Sequence, residues 1–315
     1  MSYAMVFPGQ GSQETGMGRL LIESYKSSRR VFERVDDALG FELSKLILEG
    51  PEEELQKTEF AQPAILTVSL AAYFALKEEF GYVPNPAYVA GHSLGEYSAL
   101  VAAGTLGLEE GVRLVHLRGR LMQEAVPLGK GTMAALLGID RKKVYEICEQ
   151  ISPEGVCEAA NFNAPGQIVI SGETEAVEKA MILAKEGGAK KAVKLKVSAP
   201  FHCRLMEPVA QKLQEAFEEC TWRKPEWPVV TNVSAKPVED VREIKRSLYL
   251  QTYSPVLWQD TVDFLFSMGV DTFAEIGPGS VLSGLIRRTV KGVKTVTVGT
   301  PEEAEIFVHS MVGSE

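Results

Sequence analysis

Cysteine is scarce in this 315-residue chain, and its four copies, at 148, 157, 203 and 220, form no Cys-x-x-Cys pair and no Cys/His spacing suited to a metal. That pattern argues for reduced thiols and against a disulfide framework or a zinc site. The first residues lack a basic region followed by an apolar one, so no export signal is expected, and the chain reads as cytoplasmic. Positive charge is in deficit. With 33 Lys and Arg against 42 Asp and Glu, the formal charge of −9 argues against nucleic acid as the main partner. No apolar run is long enough to imply a membrane span: the most apolar stretch, 63–76, is broken by Thr67, Ser69 and Tyr73 and reads as a buried helix. Repeats and low-complexity segments are missing too. What remains is 45% hydrophobic and 24% charged, the composition of an ordinary globular protein with enough chain for one large domain or two.

Short apolar runs bounded by glycine alternate with longer helical patterns, which predicts an α/β fold with a largely parallel sheet. Strands are expected at 3–7, 88–90, 229–233, 272–276 and 295–298, and helices at 63–79, 94–103, 108–125, 206–219, 256–268 and 280–290. Between 131 and 197 the rhythm changes. Strands at 133–137, 156–161, 167–171 and 190–197, with helices at 141–151 and 173–186, spell the βαββαβ order of a ferredoxin-like unit. The expected architecture is a large α/β-hydrolase-like domain, 1–128 with 199–315, carrying an inserted ferredoxin-like subdomain at 129–198. A ligand would sit in the cleft between them.

Gly91-His92-Ser93-Leu94-Gly95 matches the Gly-x-Ser-x-Gly pattern of a nucleophile elbow. In a chain with 28 glycines the pattern alone is weak, but its setting is not. Residues 86–90 run into it as a strand and 94–103 leave it as a helix, the strand–turn–helix context the motif requires. The plainer reading is a glycine-rich turn with a helix-capping serine. A serine nucleophile needs a base, and the chain offers only His92, His116, His202 and His309. His92 is next to Ser93 and points to the opposite face. His116 falls on the polar face of its helix, beside Arg113 and Arg120, and His309 lies in an acidic amphipathic segment near the end of the chain. His202, in the loop 198–202 that returns from the subdomain to the large domain, lies where a general base is needed.

One arginine breaks its helix pattern. Projected at 100° per residue, 108–125 places Leu114, Leu117, Leu121 and Ala125 in one arc. Arg118 lies on that apolar side, four residues from both Leu114 and Met122. A buried guanidinium needs an anionic partner. That partner is either a structural carboxylate or a carboxylate on the substrate, for which a rigid two-pronged donor is well suited.

Together with other segments, these residues resemble the malonyl-CoA:acyl carrier protein transacylases. The resemblance runs from Phe7 to about Thr300. It rests on Phe7-Pro8-Gly9-Gln10-Gly11-Ser12-Gln13, Gly91-His92-Ser93-Leu94-Gly95-Glu96, Arg118-Gly119-Arg120-Leu121-Met122-Gln123, Asn161-Phe162-Asn163-Ala164-Pro165-Gly166-Gln167, Pro200-Phe201-His202, Gln251-Thr252-Tyr253-Ser254-Pro255-Val256 and Glu275-Ile276-Gly277-Pro278-Gly279. It implies that Ser93 carries a malonyl ester, that His202 is its base and that Arg118 grips the malonyl carboxylate. It also implies an oxyanion hole from the backbone N–H groups of Gln10 and Leu94, and a backbone carbonyl of Gln251 that orients the histidine in place of an aspartate. Phe201 matches the malonyl-selective pattern. Cys203 departs from it, since serine is common there, and little consequence is expected.

The implied activity is transfer of malonyl from malonyl-CoA to acyl carrier protein in fatty-acid synthesis, with no metal, no cofactor, and neither nucleic acid nor membrane as partner. A serine hydrolase would share Ser93 and His202, but it has no evident use for Arg118. A non-catalytic docking module for carrier proteins is the third reading. Because carrier proteins are acidic, docking calls for a local basic patch. Lys190, Lys191, Lys194 and Lys196 form one candidate and Arg287, Arg288 and Lys291 another; either can equally be a solvated charged face.

Overall fold

The computed structural model describes residues 2–82, 84–197 and 199–312. In chain order its strands are β1 (Tyr3–Phe7), β2 (Tyr88–Gly91), β3 (Gly131–Leu137), β4 (Cys157–Ala164), β5 (Gln167–Glu173), β6 (Lys191–Lys194), β7 (Val229–Val230), β8 (Pro237–Val238), β9 (Thr272–Ile276) and β10 (Lys294–Val298). They form two sheets. The first has the order β10-β9-β1-β2-β7-β8. All its pairings are parallel except the last, β7 with β8. Its central strands β1 and β9 are buried at every position, because helices cover both faces, and so they read as unbroken runs rather than alternating ones.

The second sheet has the order β4-β5-β3-β6 and is antiparallel throughout. Helices Arg141–Ile151 and Thr174–Glu186 pack on it around a separate apolar core that includes Leu136, Ile147, Ile170 and Val177. This is the strand order of the ferredoxin-like unit expected from the sequence.

Helix Thr58–Glu78 is long and apolar enough to cross a membrane by length and composition, but 83% of its most apolar window is buried inside the protein. It packs against helix Leu108–Glu124. The two approach so closely at Gly119 that a Cβ there would lie 2.5 Å from the Thr58 carbonyl oxygen.

Several elements differ from the sequence expectations. Four helices, Arg19–Ser24, Lys26–Leu39, Leu43–Glu49 and Glu52–Leu55, fill a region where none was expected. Helix Val241–Gln251 was also unassigned, although Asp240 announces it by accepting from the N–H groups of Arg242 and Glu243. The strand expected at 229–233 stops at Val230, since Asn232 turns its N–H to Glu96 instead of continuing the ladder. The strand expected at 190–197 spans Lys191–Lys194, and Ser198, placed in the returning loop and at the subdomain boundary, lies outside the described residues, as do residues 313–315. His116 is half-buried rather than solvated: its Nδ1 donates to the Glu59 carbonyl at 3.0 Å, and its ring packs against Phe41 and Phe60.

Candidate active site

Close contact, more than backbone freedom, requires the two glycines of the elbow. A Cβ on Gly91 would lie 1.9 Å from the Gly95 carbonyl, and one on Gly95 would lie 2.2 Å from the Phe7 carbonyl oxygen. Strand β2 therefore turns into helix Gly95–Ala102 only if both positions lack a side chain. Ser93 stands at the turn with φ 52°, in the left-handed region that favours glycine. His202 has φ 59°, and among the described residues Ala235 is the one other non-glycine so placed. Backbone strain is thus concentrated on the serine and the histidine, as it often is at functional sites.

The two side chains meet. Ser93 Oγ lies 2.7 Å from His202 Nε2, and His202 Nδ1 lies 2.8 Å from the Gln251 carbonyl oxygen. A carbonyl can only accept, so Nδ1 carries the proton and Nε2 presents its lone pair to the serine hydroxyl. Burial pushes the imidazole down to about 3, with the neighbouring Arg118 charge as the second cause. The ring is therefore neutral and able to accept a proton.

Arg118 is 1% exposed and reaches Ser93 itself. Its Nη2 donates to Ser93 Oγ at 3.1 Å and to Gln251 Oε1 at 2.9 Å, while Nη1 donates to Gln62 Oε1 at 2.6 Å. The Tyr97 ring lies 5.7 Å from the guanidinium carbon. Among the described residues no carboxylate forms an ion pair with it, and its buried Nε has no hydrogen-bond partner. Of the two partners considered from the sequence, a directly bonded structural carboxylate is the one the geometry does not supply.

Gln10, Ser93, Leu94, Arg118, Phe201 and His202 all line one cleft of about 360 Å³. Asn161, Asn163 and Val169 from the antiparallel sheet line it from the other side, so the cleft opens between the two sheets. Gln251 lies behind it. The loop after β1 reaches the elbow because Gly9 has no side chain; a Cβ there would be 2.5 Å from the His92 carbonyl oxygen. Neither the Gln10 nor the Leu94 backbone N–H donates to a protein group among the described residues. Cys203 is buried, with Sγ donating to the Pro200 carbonyl at 3.2 Å and not to Ser93 or His202. His92, expected on the opposite face from Ser93, instead lines the same cleft, and its Nε2 lies 2.8 Å from Asn163 Oδ1.

Three contributors were not assigned a role from the sequence. Asn232 Oδ1 accepts the Ser93 N–H at 2.8 Å, Gln62 holds Arg118, and Glu96 is buried beneath the elbow with its carboxyl pushed up to about 7 by burial. Glu96 stood within the quoted motif; Asn232 and Gln62 carried no local signal. Among the described residues no group of three or more His, Cys, Asp or Glu side chains is placed to hold a metal ion. Of the two basic clusters, Lys196 lines the cleft and Lys194 pairs with Glu178 at 2.8 Å. Arg287, Arg288 and Lys291 are hydrogen-bonded to Thr295, Gln167 and the Arg287 carbonyl.

A serine and histidine paired at the end of a parallel strand form the setting of acyl-transfer chemistry, and the family model described as acyl transferase domain matches residues 4–310. The malonyl CoA-acyl carrier protein transacylase of Bacillus subtilis is 47% identical over 98% of this chain and 96% of its own length. Among solved structures, the acyl-carrier-protein-S-malonyltransferase of Bartonella henselae has a TM-score of 0.96 at 48% identity, covering 99% of this chain and 100% of that one. A malonyl-transacylase solved in complex with its type II PKS acyl-carrier protein has a TM-score of 0.95 at 43% identity, covering 98% and 100%. The chain therefore belongs to the acyl transferase family, among the malonyl CoA-acyl carrier protein transacylases.

Proposed function

We propose that this protein moves the malonyl group of malonyl-CoA to the phosphopantetheine thiol of acyl carrier protein through a malonyl ester on Ser93, supplying fatty-acid elongation in the cytoplasm. The observation that carries the reading is Arg118: a buried cation, bonded to amides and to the nucleophile's own oxygen, in a cleft that opens to substrate. The large domain, 1–128 with 199–315, supplies Ser93, His202 and Arg118, and the inserted 129–198 forms the facing wall.

His202 Nε2 takes the Ser93 proton as Oγ attacks the thioester carbonyl. The free N–H groups of Gln10 and Leu94 receive the developing oxyanion, the second of them at a helix N-terminus. Collapse of the tetrahedral intermediate breaks the C–S bond, and the histidine returns its proton to the departing coenzyme A sulfur. The carrier-protein thiol then repeats the steps in reverse on the malonyl ester. One thioester replaces another, so no external energy source, cofactor or metal enters the balance.

Arg118 acts twice in this scheme. It pairs with the malonyl carboxylate, which acetyl lacks. That pairing also offsets the positive charge that depresses His202, so the base strengthens when the right substrate is bound. Phe201 narrows the cleft beside His202 and favours malonyl over its methyl-branched relative. The malonyl-transacylase solved with its acyl-carrier protein supports the choice of acceptor.

The direct test is transfer to holo carrier protein from malonyl-, methylmalonyl- and acetyl-CoA, with malonyl expected to dominate. Rapid hydrolysis of malonyl-CoA without carrier protein would indicate a hydrolase instead, and a chain that never became acylated would indicate a docking module. The pH profile gives a second check. Because the histidine is lowered from its usual 6.5, the base form is lost only at more acidic pH. kcat/KM for acylation should therefore stay level from pH 8 down to about 5. An acid limb near 6.5 would contradict the buried neutral base.

A further inference from the structure

The reacting groups share a support that their own roles do not require. One oxygen of Glu96, Oε2, accepts both the Asn232 N–H and the Gln251 Nε2–H, each at 3.0 Å. Asn232 in turn accepts the Ser93 N–H through Oδ1 and donates from Nδ2 to the Gly91 carbonyl at 2.7 Å, pinning the strained elbow. Gln251 bonds to all three reacting groups. Its backbone carbonyl holds His202, its Oε1 holds Arg118 Nη2, and its Nε2 also donates to the Ser93 carbonyl at 2.9 Å. Glu96 is 1% exposed, so nothing from solvent substitutes for it.

A primary amide has two ends of nearly equal shape and opposite polarity. Were the Gln251 amide reversed, its NH₂ would face the Arg118 guanidinium, donor against donor, and the clamp would lose that hold. Acceptor oxygens fixed on the nitrogen side, Glu96 Oε2 and the Ser93 carbonyl, forbid the reversal. We infer that Glu96 is a positioning residue: its Oε2 fixes the Gln251 amide, and through Gln251 Oε1 it aims Arg118 at the substrate carboxylate. The inference rests on the reading of Ser93, His202 and Arg118 given above. Glu96 touches no reacting atom and passes no proton. What matters is the place of an acceptor oxygen rather than its charge.

Two substitutions separate place from charge. Glu96→Gln keeps a carbonyl oxygen at the same reach and removes the charge; Glu96→Asp keeps the charge and withdraws the oxygen by about 1.5 Å. Malonyl and acetyl transfer would be measured for both. Glu96→Gln should stay within about threefold of wild type for malonyl. Glu96→Asp should lower malonyl kcat/KM about tenfold or more, since ångström-scale misplacement of a positioning group costs that much. It should lower acetyl transfer, which offers Arg118 no carboxylate to hold, at least about threefold less. Equal losses for the two substrates in Glu96→Asp, or a loss in Glu96→Gln as large as in Glu96→Asp, would overturn the inference. Should the aspartate variant fail to fold, a loss beyond tenfold for malonyl in the glutamine variant alone would do so. The wild-type enzyme in the same assay keeps the two readings apart: no malonyl-Ser93 there would defeat the proposed function itself, whatever the variants do.

Discussion

Ser93→Ala is expected to lower malonyl transfer by about 10⁴-fold or more while leaving the folded protein intact. In the proposed reaction Oγ is the atom that bonds to the acyl group, so its loss would leave His202 with nothing to activate and the Gln10 and Leu94 N–H groups with no intermediate to hold. The fold should survive, because the strain at Ser93 is set by the backbone, with the N–H held by Asn232 and the elbow fixed by Gly91 and Gly95. An alanine adopts φ 52° at the same cost as a serine. Circular dichroism and thermal melting of the variant should therefore match the wild type. Transfer that persisted at more than a few per cent in a correctly folded Ser93→Ala would place the nucleophile elsewhere.

Arg118→Ala should change which substrate is preferred. Removing one partner of a buried charge pair costs about 3–5 kcal/mol, so malonyl kcat/KM should fall by about 10²–10⁴-fold. Acetyl transfer should fall far less, or rise. In the wild type an acetyl group leaves the guanidinium unpaired beside Ser93, and its charge also weakens His202. The variant removes both handicaps. The ratio of malonyl to acetyl turnover should drop by at least about a hundredfold. Proportional loss with both substrates would mean that Arg118 supports the structure and does not select the carboxylate. Arg118→Lys is not expected to restore the wild-type ratio, because one ammonium cannot hold Gln62, Gln251, Ser93 Oγ and a carboxylate in the guanidinium's planar geometry.

What could be read from the sequence follows the range of the forces involved. β1 and β9 were placed residue for residue, because strands covered on both faces leave an uninterrupted apolar signal. The βαββαβ rhythm of the second sheet is likewise a matter of local period. Arg118 stood out since a helical projection assigns a face to every position, and that face is buried. The elbow announced itself through Gly91 and Gly95, whose necessity is steric and local to a strand–helix junction.

What stayed hidden depends on distant parts of the chain. Asn232 meets Ser93 across 139 positions and Gln251 meets it across 158, so no local pattern connects them. The role of Gln251 came to notice through resemblance alone, because a backbone carbonyl leaves no trace in residue type. Neither did the left-handed backbone of His202, which only the folded loop imposes. The helices between 19 and 55 escaped for a different reason. Three of the four are seven residues or shorter, too brief to show a helical period, and turns at Gly40 and Gly50 interrupt the pattern.

The proposed reaction turns on a malonyl ester on Ser93 that passes to a thiol rather than to water. Intact-protein mass spectrometry after brief incubation with malonyl-CoA, followed by peptide mapping and then by addition of holo acyl carrier protein, tests it most directly. A single malonyl adduct is expected on the peptide that contains Ser93, absent from Ser93→Ala, stable in buffer and discharged onto the carrier protein when that is added. An adduct that persists in Ser93→Ala, or one that water removes as fast as carrier protein does, would contradict it.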